Sequence, residues 1–423
     1  MGTQGTLTLR SGTTHAGLIL ALAFGLMPRV FAQEWPGWRG PTRDGTVPAS
    51  DVPAWSSRLV PRWTVDVGGG RSSPIVSDGR VFVHSRRAGH EVVTALALAT
   101  GERLWQTDYP APFTQNTIVP AGFMGPFATP LASAGRLFTV GVTGVLSSWD
   151  VNTGKLLWRH DYSDDTRTSD LFGGTAASPL LEVGALIVQV GSDVSGGRIL
   201  SLDPATGDQH WAWEGPGPAY ASPVVANIEG RRQIIAFTHR SLMGLDVATG
   251  SALWSTPFED EWIENIATPI WTGRHVVVSG PRLGTHAFTI RRDADEWRVD
   301  QGWTNREVTM YMTSPVLAEG TIYGHSTKRG GQFVALNAAT GAVVWASEGR
   351  AGDFATALLA GERLVLLTGE AELIVAATDT DVFRIEHVFE VANGATWAMP
   401  VPLQDGLIIR TDDTLIRLSS ATR

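Results

Sequence analysis

The chain has 423 residues, of which 47 are Gly, 16 are Trp and none is Cys, and only 18% are charged. With 33 Lys and Arg against 42 Asp and Glu the net charge is −9, and no basic stripe interrupts it, which argues against nucleic acid as a partner. The positive charge is almost all Arg, because Lys occurs only at Lys155 and Lys328.

Residues Gly17 to Met27 form an apolar run too short to span a bilayer. Arg10 precedes it and Val30-Phe31-Ala32 closes it, so residues 1–32 are expected to be a secretory signal peptide, with an uncleaved anchor as the other reading. Its removal takes away Arg10 and Arg29 and no acid, leaving 31 basic against 42 acidic residues and a net charge of −11. An exported chain could carry disulfides, yet it has no Cys, so packing and ring closure must supply the stability. The same absence argues against a lipid-anchored N-terminus. A periplasmic or secreted protein with no membrane span after signal removal is expected.

Residues 33–58 have no strand period and several breakers: Trp35-Pro36-Gly37-Trp38-Arg39-Gly40-Pro41, then Arg43-Asp44-Gly45 and Pro53. The expectation is an extended Trp- and Pro-rich segment laid over the body, with Trp35, Trp38 and Trp55 docked because exposed indoles are costly in water.

From residue 59 to 423 one unit recurs. It is clearest at Ala221-Ser222-Pro223-Val224-Val225, Ile234 to Phe237, Leu245-Asp246 through Gly250, and Leu253-Trp254: four short strands in a row. Such a unit repeating every 40 to 50 residues or so is the pattern of a β-propeller blade. A marker proline starts the innermost strand at Pro74, Pro130, Pro179, Pro223, Pro269, Pro315 and Pro400, with Ala357 standing in for the seventh, giving eight blades. The residue before the marker is Ser or Thr in all but Met399, and the one before that is always small, as crowding around a common axis requires. Pro at a strand start forfeits a ladder donor where pairing is least continuous.

The third strand closes in a Thr-Gly turn, plain in Ala97-Leu98-Ala99-Thr100-Gly101 and led by Asp150, Asp203, Asp246 or Asn337 elsewhere, whose side chain folds onto the backbone while Gly supplies positive φ. The outer strand carries Trp105, Trp158, Trp211, Trp254, Trp303 or Trp345. Units five and seven are worn: Thr289 to Trp297 lacks the turn, and Val375 to Ile385 lacks turn and Trp alike. After Leu418 the chain ends before an eighth outer strand, while Arg62-Trp63-Thr64-Val65 is an outer strand with no blade. The expected fold is therefore all-β, an eight-bladed propeller of four-stranded antiparallel blades closed by that N-terminal outer strand.

Ser222-Pro223, the hydrophobic second strand, Leu245-Asp246-x-x-Thr-Gly and Leu253-Trp254 resemble the pyrroloquinoline-quinone-like repeat, over about 360 residues. The repeat is shared by quinoprotein alcohol dehydrogenases, by the BamB outer-membrane assembly scaffold, and by a set of secreted propellers whose lead-in is similar to residues 35–45. A dehydrogenase relationship would imply pyrroloquinoline quinone beside calcium, under two adjacent disulfide-linked Cys. This chain has no Cys and no long insertions, and none of the calcium ligands maps onto it, so no cofactor, metal or catalytic residue is assigned.

The third residue before each marker forms a second ring: Arg71, Phe127, Ala176, Tyr220, Ile266, Met312, Phe354 and Trp397. Arg71, Phe127, Tyr220, Met312, Phe354 and Trp397 are the candidate ligand- or partner-binding residues at one mouth of the axial channel; a packed plug is the alternative. Loops on a rigid frame are the other usual place for binding. Those at Gln106 to Pro126 and Arg159 to Gly174 are longest, and the acidic stretch Glu259 to Asn265 adds Glu264 and Asn265 as candidate loop-surface residues. His84, His239 and His325 fall in blades one, four and six and cannot meet around the ring. Gly68-Gly69-Gly70-Arg71 precedes no helix and so is no phosphate loop. The reading is an exported protein-binding or scaffolding module with an unidentified protein partner; the alternative is a quinone-dependent oxidoreductase or small-ligand sensor at the channel mouth.

Overall fold

In a computed structural model, residues 1–2, 34–48, 55, 58–113, 125–166, 173–260, 264–378 and 381–421 are described. The expected signal peptide lies outside them but for its first two residues. So do most of the loop between Gln106 and Pro126, part of the one between Arg159 and Gly174, and residues 261–263. Residues 32–423 form one unit. Among the described residues no helix is long and apolar enough to cross a membrane.

Eight antiparallel sheets make up that unit. Blade four is representative, with strands Val224–Ile228, Arg231–Phe237, Ser241–Asp246 and Ala252–Pro257 paired in sequence order. The marker proline acts as expected from its missing N–H. Seven inner strands begin one residue after it, whereas in blade seven, where Ala357 keeps its donor, the inner strand Ala355–Ala360 starts two residues before that position and pairs through it. The small residues two before the marker are all buried, from Ser72 at 0% to Ala177 at 3% exposed.

Closure follows the expected route. Leu59–Asp66 is the outer strand of blade eight, antiparallel to Thr414–Ser420, with Trp63 opposite Arg417. Arg410 seals the same seam from inside: its guanidinium donates to Ser72 O at 2.6 Å, His84 O at 2.9 Å and Gly68 O at 3.3 Å, all in the first blade or its lead-in. Burial holds Arg410 down at about 9, with Asp412 and Asp413 opposing the shift.

The seams between blades repeat one device. Trp63, Trp105, Trp158, Trp211 and Trp303 each donate Nε1–H to a carbonyl in the third-strand turn of the next blade, at 2.9 to 3.2 Å. The turn glycine lies flat against that indole, so a Cβ on Gly101 would stand 2.8 Å from Trp63 and one on Gly154 2.5 Å from Trp105. Where the next blade lacks the turn, the device fails in step. Trp254 bonds Gln233 of its own blade at 2.7 Å, and Trp345 Nε1 is buried with no partner. In all eight blades the ladder slips by one residue just before the Trp position, as at Leu104 between Arg103 and Trp105. That bulge re-aims the side chain toward the neighbour.

The N-terminal segment lies against the body. It is docked at the axis, across the starts of the inner strands. Trp35, 1% exposed, exchanges backbone hydrogen bonds with Val76 of blade one, and Pro36 O accepts from Ala132 of blade two. Thr46–Val47 adds a parallel fifth strand to blade seven beside Leu359 and Ala360. Between these points Arg39 and Arg43 reach carbonyls at the inner-strand starts: Arg39 Nη2 donates to Pro315 O, and Arg43 to Pro179 O at 2.8 Å and Pro223 O at 3.0 Å. Burial lowers Arg39 to about 10 and Arg43 to about 9, with Asp44 countering it at Arg39 and the Arg39 charge adding to it at Arg43.

Candidate functional site

The site is built on the inner-strand starts. There the Ser or Thr before the marker links one blade to the next in a run of bonds: Ser73 N–H donates to Thr129 Oγ1, Thr129 to Ser178, Ser178 to Ser222 and Thr268 to Ser314, at 2.9 to 3.3 Å. Met399 N–H donates to Ser73 Oγ at 3.0 Å and carries the same device across the junction of blades eight and one. The hydroxyl at that position thus satisfies an inner-strand N–H that the neighbouring proline leaves without a ladder, as buried amides require. Thr268 Oγ1 is used differently: it accepts from Trp38 Nε1 at 3.1 Å and so fixes the indole of the N-terminal segment across the channel.

Above Trp38 lies a cavity of about 160 Å³, lined by all eight residues of the second ring together with the pre-marker Ser or Thr of every blade that has one except Thr129. Arg71, Phe127, Tyr220, Met312, Phe354 and Trp397 therefore converge on one space, with Ala176 and Ile266 completing the circle. Phe354 and Trp397 stack at 5.2 Å, and the Arg71 guanidinium covers the other part of that wall, 3.9 Å from the Trp397 ring centre. Arg71 also lies 3.9 Å from Asp412; burial lowers it to about 10, against the pull of that carboxylate. Gly173 N–H reaches Tyr220 Oη at 3.4 Å, and the Tyr220 ring lies 6.0 Å from His239. Among the described residues the lining contains no side-chain carboxylate, amide, imidazole or thiol.

Glu264 and Asn265 are not surface residues, and here the loop reading is corrected. Asn265 is fully buried, its amide donating to Thr238 O at 2.7 Å, Phe258 O at 3.2 Å and His239 O at 3.3 Å, which ties the blade-four hairpin to the start of blade five. Glu264 is 7% exposed and accepts from Tyr311 Oη. Burial pushes the Glu264 carboxyl up, with the Tyr311 bond opposing, and pushes the Tyr311 phenol up as well. The pair stands beside Ile266 and Met312, on the side of the ring opposite Arg71. The sequence could not distinguish a buried acid in this stretch from a solvated one, because all carry the same charge; Asp260 is buried as well, accepting from the Arg282 and Leu283 N–H groups.

Another buried acid escaped sequence reasoning altogether. Glu91, 0% exposed, accepts from Tyr109 Oη at 2.5 Å and Val142 N at 2.8 Å, with His84 Nε2 at 3.4 Å. Burial alone would raise its pKa, but His84, Tyr109 and the Val142 N–H outweigh it and hold the carboxyl below the usual range. It clamps blade one to blade two, away from the axis. Among the described residues no three His, Asp or Glu could hold a metal ion.

Fold and site together define an eight-bladed propeller with a blind, apolar axial cavity, sealed from one side by its own N-terminal segment. The chain belongs to the family described as outer membrane protein assembly factor BamB, matched over residues 60–119 and 89–347. It is 26% identical to outer membrane protein assembly factor BamB of Kangiella koreensis over 225 residues, which is 52% of this chain and 50% of that protein. It is 27% identical to lanthanide-dependent methanol dehydrogenase of Methylacidiphilum fumariolicum over 168 residues, 38% of this chain and 26% of that protein. The alignment thus spans about half of the first relative and about a quarter of the second. In architecture it is similar to a europium-containing methanol dehydrogenase, with a TM-score of 0.65 at 14% identity over 89% of each chain, a likeness of fold.

Proposed function

We propose that this propeller works outside the cytoplasm as a protein-binding module, with the ring-lined mouth of the channel as its interaction surface. The observation that carries the reading is the chemistry of that mouth: large apolar residues from six of eight blades, a single guanidinium, and no group among them that ligates a hard cation. A quinone held beside calcium or a lanthanide needs several carboxylate or amide oxygens converging on the metal, and the residues lining this cavity do not fit that demand. Interface cores are instead depleted in charge and enriched in aromatic residues, Met and Arg, which is the composition found here. Membership of the BamB family and the likeness to the Kangiella protein support the same reading and its extracytoplasmic setting.

Two measurements test it. Photo-crosslinking from position 412, at the rim, in the native compartment is expected to give a discrete protein adduct that disappears on Arg71→Glu. Titration of the purified protein with pyrroloquinoline quinone and calcium is expected to give no stoichiometric change in absorbance. A saturating titration would move the protein to the dehydrogenase side of its relationships.

A further inference from the structure

We infer that the axial cavity is a socket for one aromatic side chain of the protein partner, a Phe or Tyr, with Trp38 as its back wall. This rests on the protein-binding reading above and goes beyond it by fixing what enters.

Size decides the class of occupant. A cavity of about 160 Å³ is close to the ~150 Å³ engineered void that takes up benzene, and well below the roughly 300 to 1,000 Å³ of pockets for drug-sized ligands and cofactors. It holds one ring. The wall chemistry agrees: Phe127, Tyr220, Phe354 and Trp397 offer ring faces and edges, and Met312 and Ile266 fill between them; beneath, Ser73, Ser178, Ser222 and Ser314 accept inter-blade N–H bonds and Thr268 accepts from Trp38, which leaves the Thr356 hydroxyl buried without a partner. Among the described lining residues Arg71 is the one charged group; it could pair with a carboxylate but would repel an ammonium, and it lies in the wall against Trp397.

The blind end is what makes the space a socket. Trp38 crosses the channel and is held there by Thr268; its own segment is pinned by Arg39 and Arg43 to carbonyls of blades three, four and six. A side chain arriving from the other mouth therefore meets a fixed floor. A free single-ring molecule has few atoms with which to gain affinity, whereas the same ring carried by a partner adds the contacts of its neighbours across the rim, the usual arrangement of an aromatic hot spot.

The socket and its source are tested separately. For the socket, binding of p-cresol, the Tyr side-chain analogue, is followed by calorimetry and by tryptophan fluorescence, with 2-naphthol as the two-ring comparison. Saturable p-cresol binding is expected, at least tenfold tighter than 2-naphthol. It should be lost in Ala176→Phe and in the independent filling variant Met312→Trp, each checked for an unchanged circular dichroism spectrum. Trp38→Ala should erase the preference by deepening the space. No saturable p-cresol binding, or binding that survives both filling variants, overturns the proposal.

For the source, crosslinking from position 412 is repeated with saturating p-cresol and with Ala176→Phe. Adduct yield should fall at least fivefold in both. An adduct indifferent to both leaves the protein-binding reading standing and overturns the socket as its anchor. Saturable p-cresol with no protein adduct under any condition overturns both partner and anchor, and marks a small-molecule site instead.

Discussion

Gly154 serves two constraints at once. Its φ of 69° lies in the left-handed region, and its missing Cβ lets the Trp105 indole of the preceding blade lie against the backbone. The first constraint was legible in Asp150-Val151-Asn152-Thr153-Gly154, because the turn is local. The second was not, since Trp105 is a blade away in sequence. Gly154→Ala is therefore expected to cost about 1 to 2 kcal/mol for the left-handed backbone, plus further loss from displacing the indole. The control is Gly135→Ala, with φ 77° and nothing near its Cβ, which shows the backbone cost alone. Equal losses in urea unfolding of the two variants would remove the packing role.

The same pairing makes two tryptophans behave oppositely. Trp105 Nε1 donates to Val151 O at 2.9 Å, whereas Trp345 Nε1 is buried without a partner beside Phe383. Trp105→Phe gives up a hydrogen bond and should destabilise by about 1 kcal/mol. Trp345→Phe removes an unsatisfied donor and should be neutral or stabilising, apart from the volume lost. Chemical denaturation separates them, and a larger loss at Trp345 than at Trp105 contradicts the account.

At the scale of elements, the eight inner strands and their order were legible because Ser-Pro after a small residue is a local signature of a crowded axis. Strand Leu59–Asp66 could be assigned to blade eight by bookkeeping, since one outer strand lacked a blade and one blade lacked an outer strand. The lead-in was harder. Its tryptophans announced docking, but Arg39 and Arg43 find their partners among bare carbonyls, which no sequence pattern marks. Those carbonyls argue for what the segment does in the fold. Arg39→Met and Arg43→Met each keep the length of the side chain while leaving Pro315 O, or Pro179 O and Pro223 O, without their donors. A loss on the order of 1 to 3 kcal/mol each is expected, together with faster proteolysis of residues 34–48 in the native state. Resistance unchanged in the double variant would mean that Trp35 and the Thr46–Val47 strand hold the segment alone.

For the whole molecule, the seams are not equal, and pH should reveal which is weakest in acid. Burial keeps His239 and His325 below the usual histidine value, so the unfolded chain takes up their protons first. Their contribution is complete above about 6.5 and is lost as pH falls from there. Glu91 is also held below its ordinary value, and its contribution is complete above about 4.3 and lost as pH falls through its folded value. The seam between blades one and two, where Glu91 gathers Tyr109, His84 and the Val142 N–H, should therefore be the last acid-sensitive joint to fail, after an earlier decline near pH 6. The seam between blades eight and one rests on Arg410, still a cation across this range, and should not respond. Glu91→Gln tests the assignment: against the parent it should be destabilised at pH 7, and the gap should narrow as pH falls below about 4.3, where the parent's unfolded chain takes up the proton first. Denaturant midpoints at four pH values decide it, because a gap that stays constant to pH 3 would mean that Glu91 contributes shape to that seam and not charge.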